Sequence, residues 1–353
     1  MHTMNTVEHK RSELSDREKL VLQSLVGAYV ASAEPVASRT ISRKYLTDVS
    51  PATIRNTMVD LEEMGYLWQP HTSAGRIPTD KGYRFYVGAL MDQPALTEGE
   101  KRAVERSIQK SVRERDVQDI LEQVATVIAS VTEQLGLALS PQFDQGVFHR
   151  LDLVHVAERK LLMALTIKSG LVKTIVFEVK SKVRPDKLAE TCQLVNERLS
   201  GLLVGEIRRS MGDRMRWVSR GDPKLIKFLV EEADTLFRFE IPDDLHLVGT
   251  ANIFSQPEFS DRDKLTHLME VLEDRQAILC LLASRATEDG VTITIGSENP
   301  SESMRDCSLV TSVYEVGNVR GLIGVLGPTR MRYSKLACLV DYAAKLTGRL
   351  LQS

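Results

Sequence analysis

Arginine, asparagine and threonine side by side on one helix face can read double-stranded DNA. A guanidinium pairs with guanine O6 and N7, a carboxamide with adenine N6 and N7, and a threonine bonds a base edge or touches a thymine methyl. Thr53, Arg55 and Asn56 offer that set, and no acidic residue stands among residues 51–59. At 100° per residue, Ile54, Met58 and Leu61 share the opposite side, with Thr57 and Met64 at its edge. Ala52, Thr53, Asn56, Val59 and Asp60 face outward, flanked by Arg55 and Glu63. Such a helix has one face for a core and another for a major groove.

Further cations lie close in sequence. Arg39, Arg43 and Lys44 precede the helix and are candidate phosphate contacts, as are Lys81, Tyr83 and Arg84 after it. Between them the loop His71-Thr72-Ser73-Ala74-Gly75-Arg76 has the residues of a hairpin tip. There Gly75 is expected to permit a sharp turn, and Arg76 to enter a narrow minor groove or meet a phosphate. With Ser50 and Ser73, the candidate DNA-binding set is Arg39, Arg43, Ser50, Thr53, Arg55, Asn56, Ser73, Gly75, Arg76, Lys81, Tyr83 and Arg84. From Arg39 to Arg84 there are seven Lys/Arg against five Asp/Glu. That surplus is too thin for strong non-specific binding, so a homodimer reading two half-sites is expected.

The elements that must position these groups are legible from their punctuation. Ser15-Asp16-Arg17-Glu18 is a capping box opening a first helix with Leu20, Val21, Leu22, Leu25, Val26 and Val30 on its apolar face. Pro35 suits the break or first turn of a second helix, with Val36, Ile41 and Tyr45 inward. Ser50-Pro51 opens the third, as N-cap and first-turn proline, and Gly65 ends it. A short strand (Tyr66 to Gln69), the polar loop and a helix from Thr79-Asp80 follow. Three helices, a strand and a loop make the order of a winged helix-turn-helix.

Beyond a junction at Pro94 to Gly99, residues 98–134 are helical and charged, with an apolar stripe from Val117 to Val131. This is either a connecting or dimer-forming helix or the first amphipathic helix of a second domain. Residues 147–180 hold three β-rich runs, with Ser169-Gly170 as a hairpin loop. A helix from Pro185 to Leu199 follows. Gly290 to Gly296, Ser308 to Val316 and Val319 to Leu326 are further strands, and Tyr333 to Leu350 a closing helix. Strands on both sides of a helical middle predict one α+β domain with an insertion between about Glu206 and Arg285.

At 353 residues, two or three domains are expected. The net charge of −2 carries no global basic signature, so any nucleic-acid surface must be local. No apolar run approaches the ~20 residues of a membrane span. Met1 to Arg11 lacks the apolar stretch of a secretion signal, and a cytoplasmic location is expected. Cys192, Cys280, Cys307 and Cys338 form no CxxC pair and suit small buried hydrophobes. Gly321, Gly324 and Gly327 are spaced GxxGxxG, which matches neither a dinucleotide fingerprint nor a P-loop. The histidines are scattered, with His149 and His155 expected in or beside a strand. No nucleophile elbow or HExxH occurs, so the expectation is no enzyme, no catalytic residue, no cofactor and no metal.

Three stretches carry a resemblance. Residues 50–56 (SPATIRN), 61–67 (LEEMGYL) and 71–84 (HTSAGRIPTDKGYR) closely resemble the HrcA family of bacterial heat-shock repressors, as does 324–331 (GVLGPTRM) near the C-terminus. The resemblance implies a multidomain α+β chain: a winged helix, a GAF-like α/β domain, and a dimerising domain inserted within it. On the predicted boundaries these are residues 1–92, then 93–205 and 286–353, interrupted by 206–285. It also implies an inverted-repeat operator called CIRCE upstream of chaperone operons. The GroE chaperonin is the implied partner that keeps such a repressor active. Thr57, where many members are acidic, and Trp68, where a polar residue is common, depart from the pattern beside the expected reading surface. A rival reading makes the GAF-like domain a small-molecule sensor, although no buried polar cluster in an apolar pocket is evident in the sequence.

Overall fold

The computed structural model describes residues 14–92, 95–109, 117–237 and 245–352. The polar N-terminus Met1 to Arg11, Pro94 of the junction and residues 110–116 of the charged helical stretch lie outside the described residues.

The chain opens with α1 (Asp16–Ser32), started by the predicted capping box. The Glu18 amide donates to Ser15 Oγ at 3.4 Å, and the Ser15 amide donates to Glu18 Oε2 at 2.6 Å. Leu22, Leu25 and Val26 are fully buried on its inner face, whereas Leu20 is half exposed. Next comes α2 (Ser38–Lys44), anchored by buried Ile41. Pro35 does not open it. The chain is extended there, and Val36 exchanges backbone hydrogen bonds of 2.9 Å with Arg76. Tyr45 lies past the end of α2 and is exposed, not inward.

Helix α3 (Pro51–Glu63) starts where expected, Ser50 Oγ accepting from the Thr53 amide at 3.1 Å with Pro51 in the first turn. Gly65, at φ +77°, turns the chain away after it. A ribbon of β1 (Leu67–Trp68) and β2 (Ile77–Pro78) then leads into α4 (Asp80–Phe85), capped by Thr79. That helix continues as a π-helical turn (Tyr86–Leu90), tied back to α1 by Gln23 on the Leu90 carbonyl.

The charged stretch gives α5 (Glu98–Gln109) and α6 (Val117–Thr132). Helix α6 packs its apolar stripe on a sheet and on the last helix, so it is an element of the second unit. That sheet has five strands in the order β7-β3-β10-β9-β8: β3 (Leu135–Leu139), β7 (Leu245–Val248), β8 (Val291–Ile295), β9 (Cys307–Val316) and β10 (Val319–Pro328), every pairing antiparallel. Alternation splits its side chains between two cores. Ala138, Val310, Ile323 and Val325 face α6 and the closing helix α14 (Tyr333–Gln352). Leu137, Leu309 and Leu322 face α11 (Thr250–Phe254), α12 (Arg262–Glu273) and α13 (Arg275–Arg285), through Ile253, Leu268 and Leu282.

The runs at 147–180 do not join this sheet. They become β4 (Phe148–Ala157), β5 (Lys160–Ile167) and β6 (Val172–Glu178) of a separate three-stranded sheet. Its inner face carries α7 (Pro185–Leu199), α8 (Val204–Arg214), α9 (Pro223–Glu231) and α10 (Ala233–Leu236). Phe228 of α9 stacks on Phe177 at 5.3 Å. The three-stranded sheet and these helices thus fall between β3 and β7 in the chain, beginning well before the expected limit at 206, and α11 to α13 pack on the larger sheet instead. Gly321, Gly324 and Gly327 all fall within β10, where an added Cβ at Gly321 would meet the Tyr314 ring at 2.3 Å.

Candidate nucleic-acid interface

Helix α3 stands on Ile54, Met58 and Leu61, all buried against α1 and α2. Thr57 joins them. It is 5% exposed and its hydroxyl donates to the Thr53 carbonyl at 3.1 Å, so its departure from the family pattern lies in the core, not beside the reading surface. Ala52, Arg55, Asn56, Val59, Asp60 and Glu63 are exposed, and Thr53 is half-buried. Thr53 Oγ1 and Ser50 Oγ share a hydrogen bond of 2.9 Å, which fixes both at the start of the helix. Arg55 and Asn56 take no hydrogen bond or ion pair among the described residues. Arg39, Arg43 and Lys44 on α2 are exposed and equally uncommitted.

The ribbon and α4 are different. Arg76 Nε donates to Glu62 Oε2 at 2.7 Å, and only 16% of its side chain is exposed. The pair ties the ribbon to the last turn of α3 and withdraws Arg76 from the groove expected of it. Gly75 serves a close approach rather than a turn, since a Cβ there would lie 2.4 Å from the Val36 carbonyl group. The tip is held by Gln69 Nε2, donating to the Thr72 and Ala74 carbonyls at 3.0 and 2.8 Å. His71, Thr72 and Ser73 remain exposed there.

Lys81 Nζ donates to the Met64 carbonyl at 2.6 Å and sits 4.3 Å over the Tyr66 ring, closing the C-terminal end of α3. Tyr83 is 2% exposed and meets Tyr333 edge-to-face at 5.9 Å, so it is not a phosphate contact. Burial pushes the Tyr83 phenol well above its usual range. Arg84 faces the larger sheet. It donates to Glu298 Oε1 and to the Ile293 carbonyl, both at 2.6 Å, so its guanidinium is committed to the sheet. Beside it Asp80 Oδ2 accepts from the Ser297 amide at 2.8 Å. Burial raises the Glu298 carboxyl, but hydrogen bonds from Arg84 and the Ile295 amide outweigh it and hold the group below the usual glutamate range.

Of the sequence-derived candidates, the structure brings Arg39, Arg43, Ser50, Thr53, Arg55 and Asn56 together on the α2–α3 side, with Ser73 on the exposed tip. Arg76, Lys81, Tyr83 and Arg84 are drawn into holding the unit together and onto the sheet. The seam residues Asp80, Ser297 and Glu298 were not foreseen. Asp80 carried a local signal as a first-turn acid, but its distant partners carried none.

The sequence profile described as the HrcA protein C-terminal domain matches residues 118–337. A heat-inducible transcription repressor HrcA of Prosthecochloris aestuarii is 40% identical over 344 residues, covering 95% of this chain and 97% of its own. One of the same name from Pelotomaculum thermopropionicum is 36% identical over 341 residues, covering 96% and 97%. A crystal structure described as a hypothetical protein superposes with a TM-score of 0.61 at 21% identity, covering 96% of this chain and 99% of that one, and so shares the fold. Among the described residues no helix is long and apolar enough to cross a membrane. Matched along nearly its whole length, the chain belongs to the HrcA family of heat-inducible transcription repressors.

Proposed function

We propose that the chain is a cytoplasmic repressor of chaperone operons that binds an inverted-repeat, CIRCE-type operator as a homodimer and is kept active by the GroE chaperonin. The observation that carries this reading is the outer face of α3. Arg55 and Asn56 are exposed and uncommitted over a fully buried base, next to the free cations of α2. On this reading the N-terminal unit is a winged helix: α3 enters the major groove, Arg39 and Arg43 meet phosphates, and the tip at Ser73 follows the backbone.

The five-stranded sheet with α6 and α14 is the GAF-like domain of this proposal, and the unit between β3 and β7 is the dimerising insertion. Support for the second assignment comes from the outer face of the three-stranded sheet. Val154, Val156, Val172 and Val176 are each more than half exposed there, an apolar patch that a second copy would cover.

Fluorescence anisotropy tests the proposal, comparing the inverted-repeat duplex with a scrambled duplex at physiological salt, with and without GroEL. Tight binding to the repeat alone, strengthened by the chaperonin, is the expected result. Equal or absent binding to both duplexes by folded, dimeric protein would overturn it.

A further inference from the structure

The outer face of α3 is not chemically uniform, and the ribbon is the reason. At 100° per residue, Arg55, Val59 and Glu62 fall within about 60° of one another on one flank, and Thr53 and Asp60 within about 20° on the other, with Asn56 between. Glu62 marks the first flank as the one the ribbon lies against, because it accepts from Arg76 Nε at 2.7 Å. Its charge is thereby met by a cation fourteen residues away in sequence. Asp60 on the other flank and Glu63 at the end of the helix are exposed and take no ion pair among the described residues. A polyanion approaching α3 is therefore repelled least along the edge of Arg55, Asn56 and Val59.

Val59 is the odd member of that edge. It is 36% exposed within the helix, while Ile54, Met58 and Leu61 complete the buried base at 4% or less. A β-branched side chain is a poor choice for an exposed helix position, since fixing its χ1 lowers helix propensity. The same stiffness holds its two methyl groups in one place. A valine alone on a surface carries no message. One held about a turn from an uncommitted arginine and asparagine, beside a compensated acid, offers DNA an apolar contact that is already ordered.

We propose that Val59 is a specificity-determining residue that packs on a thymine C5-methyl group in the major groove, next to the bases met by Arg55 and Asn56. The proposal rests on the operator reading above and adds to it a base that no hydrogen bond would report. Thymine is the one base whose major-groove edge carries a methyl group. Cytosine in its place presents an amino donor, which a valine cannot accept. Val59 lies three residues beyond Asn56, about 4.5 Å along the helix axis, which is between one and two base steps of about 3.4 Å. The thymine therefore lies within two base pairs of the base that Asn56 meets.

The test uses the full chain and the inverted-repeat duplex, with each thymine of the half-site replaced in turn by deoxyuridine in both half-sites. That exchange removes one methyl group and keeps the base pairing. Anisotropy is expected to show one position, or two adjacent ones, where binding weakens about fourfold per half-site, the worth of one buried methyl-sized group. Val59→Ala is expected to keep its Tm, to bind the thymine duplex more weakly by a similar factor, and to lose the response at that position alone. A valine that only shapes the helix cannot produce such coupling between one side chain and one methyl. If no thymine couples to residue 59, or if Val59→Ala binds the thymine duplex as tightly as the unaltered chain, the proposal is overturned. A lowered Tm with equal losses on every duplex would make Val59 structural and overturn it too. An unaltered chain that does not distinguish the repeat from a scrambled duplex sinks the operator reading and this proposal with it. Discrimination without coupling sinks this proposal alone.

Discussion

The two sides of the N-terminal unit carry similar residue types and treat them in opposite ways. On the α2–α3 side, Arg39, Arg43, Lys44, Arg55 and Asn56 project from a buried base and take no hydrogen bond or ion pair among the described residues. On the ribbon and α4 side, Arg76, Lys81 and Arg84 are bound to Glu62, the Met64 carbonyl and Glu298. A partner of opposite charge has the first set at its disposal and must break existing bonds to reach the second. The number of cations near a motif therefore says little about which face is available. What decides is whether the fold has already given each one an acceptor.

That contrast can be broken most directly on the open side. The double variant Arg55→Ala/Asn56→Ala is expected to lose about 1–3 kcal/mol of operator affinity per base contact, with little change in Tm. Anisotropy and thermal melting together check it; a large fall in Tm would mean the two side chains hold structure after all. On the committed side the order reverses. Gly75→Ala pushes a Cβ into the Val36 backbone and should cost about 1–3 kcal/mol of stability, read from chemical denaturation. Its affinity loss should follow from the displaced ribbon and be the same for all duplexes.

Smaller effects sharpen the comparison. Arg39→Ala or Arg43→Ala should each flatten the dependence of log K on log salt by about 0.9 if the side chain meets one phosphate. Arg76→Ala should leave that slope unchanged, because the side chain is already paired with Glu62. The last prediction concerns acid. The Glu298 carboxyl is held below its usual value in the folded chain, so its contribution to holding the units together is complete above the ordinary glutamate range. That contribution disappears as pH falls through the lowered folded value. Hydrogen exchange around Arg84 and Ser297 should rise in that window, and Glu298→Gln should show raised exchange already at neutral pH.

Much of this was legible because local rules speak for themselves. Ser15 with Glu18, Ser50 with Pro51, Gly65 and Thr79 each mark a helix end through groups at most three residues apart. The two faces of α3 followed from 3.6-residue periodicity alone. Failures came where a distant acceptor decides the outcome. Nothing near Arg84 announces Glu298, and nothing near Tyr83 announces Tyr333. The division of the sheets failed for a related reason. Strand β3 is buried on both faces and shows no alternation, and β7 is only four residues long. Without them, the runs at 148–178 and 291–328 looked like parts of one sheet.

The seam at Asp80, Arg84, Ser297 and Glu298 is made of directional bonds, and direction is what sets an angle. An apolar contact tolerates sliding, whereas a fork of guanidinium on carboxylate, with a carboxylate on a backbone amide beside it, has one good orientation. On the proposed reading of an inverted repeat by a homodimer, the two reading heads sit about 34 Å apart, or roughly 17 Å from the two-fold axis. A turn of about 10° at that radius shifts a head by roughly 3 Å, close to the rise of one base pair at about 3.4 Å. Seen this way the seam is a protractor. An error of about 10° in its setting is small on the scale of the protein and is close to a whole letter on the scale of the proposed operator.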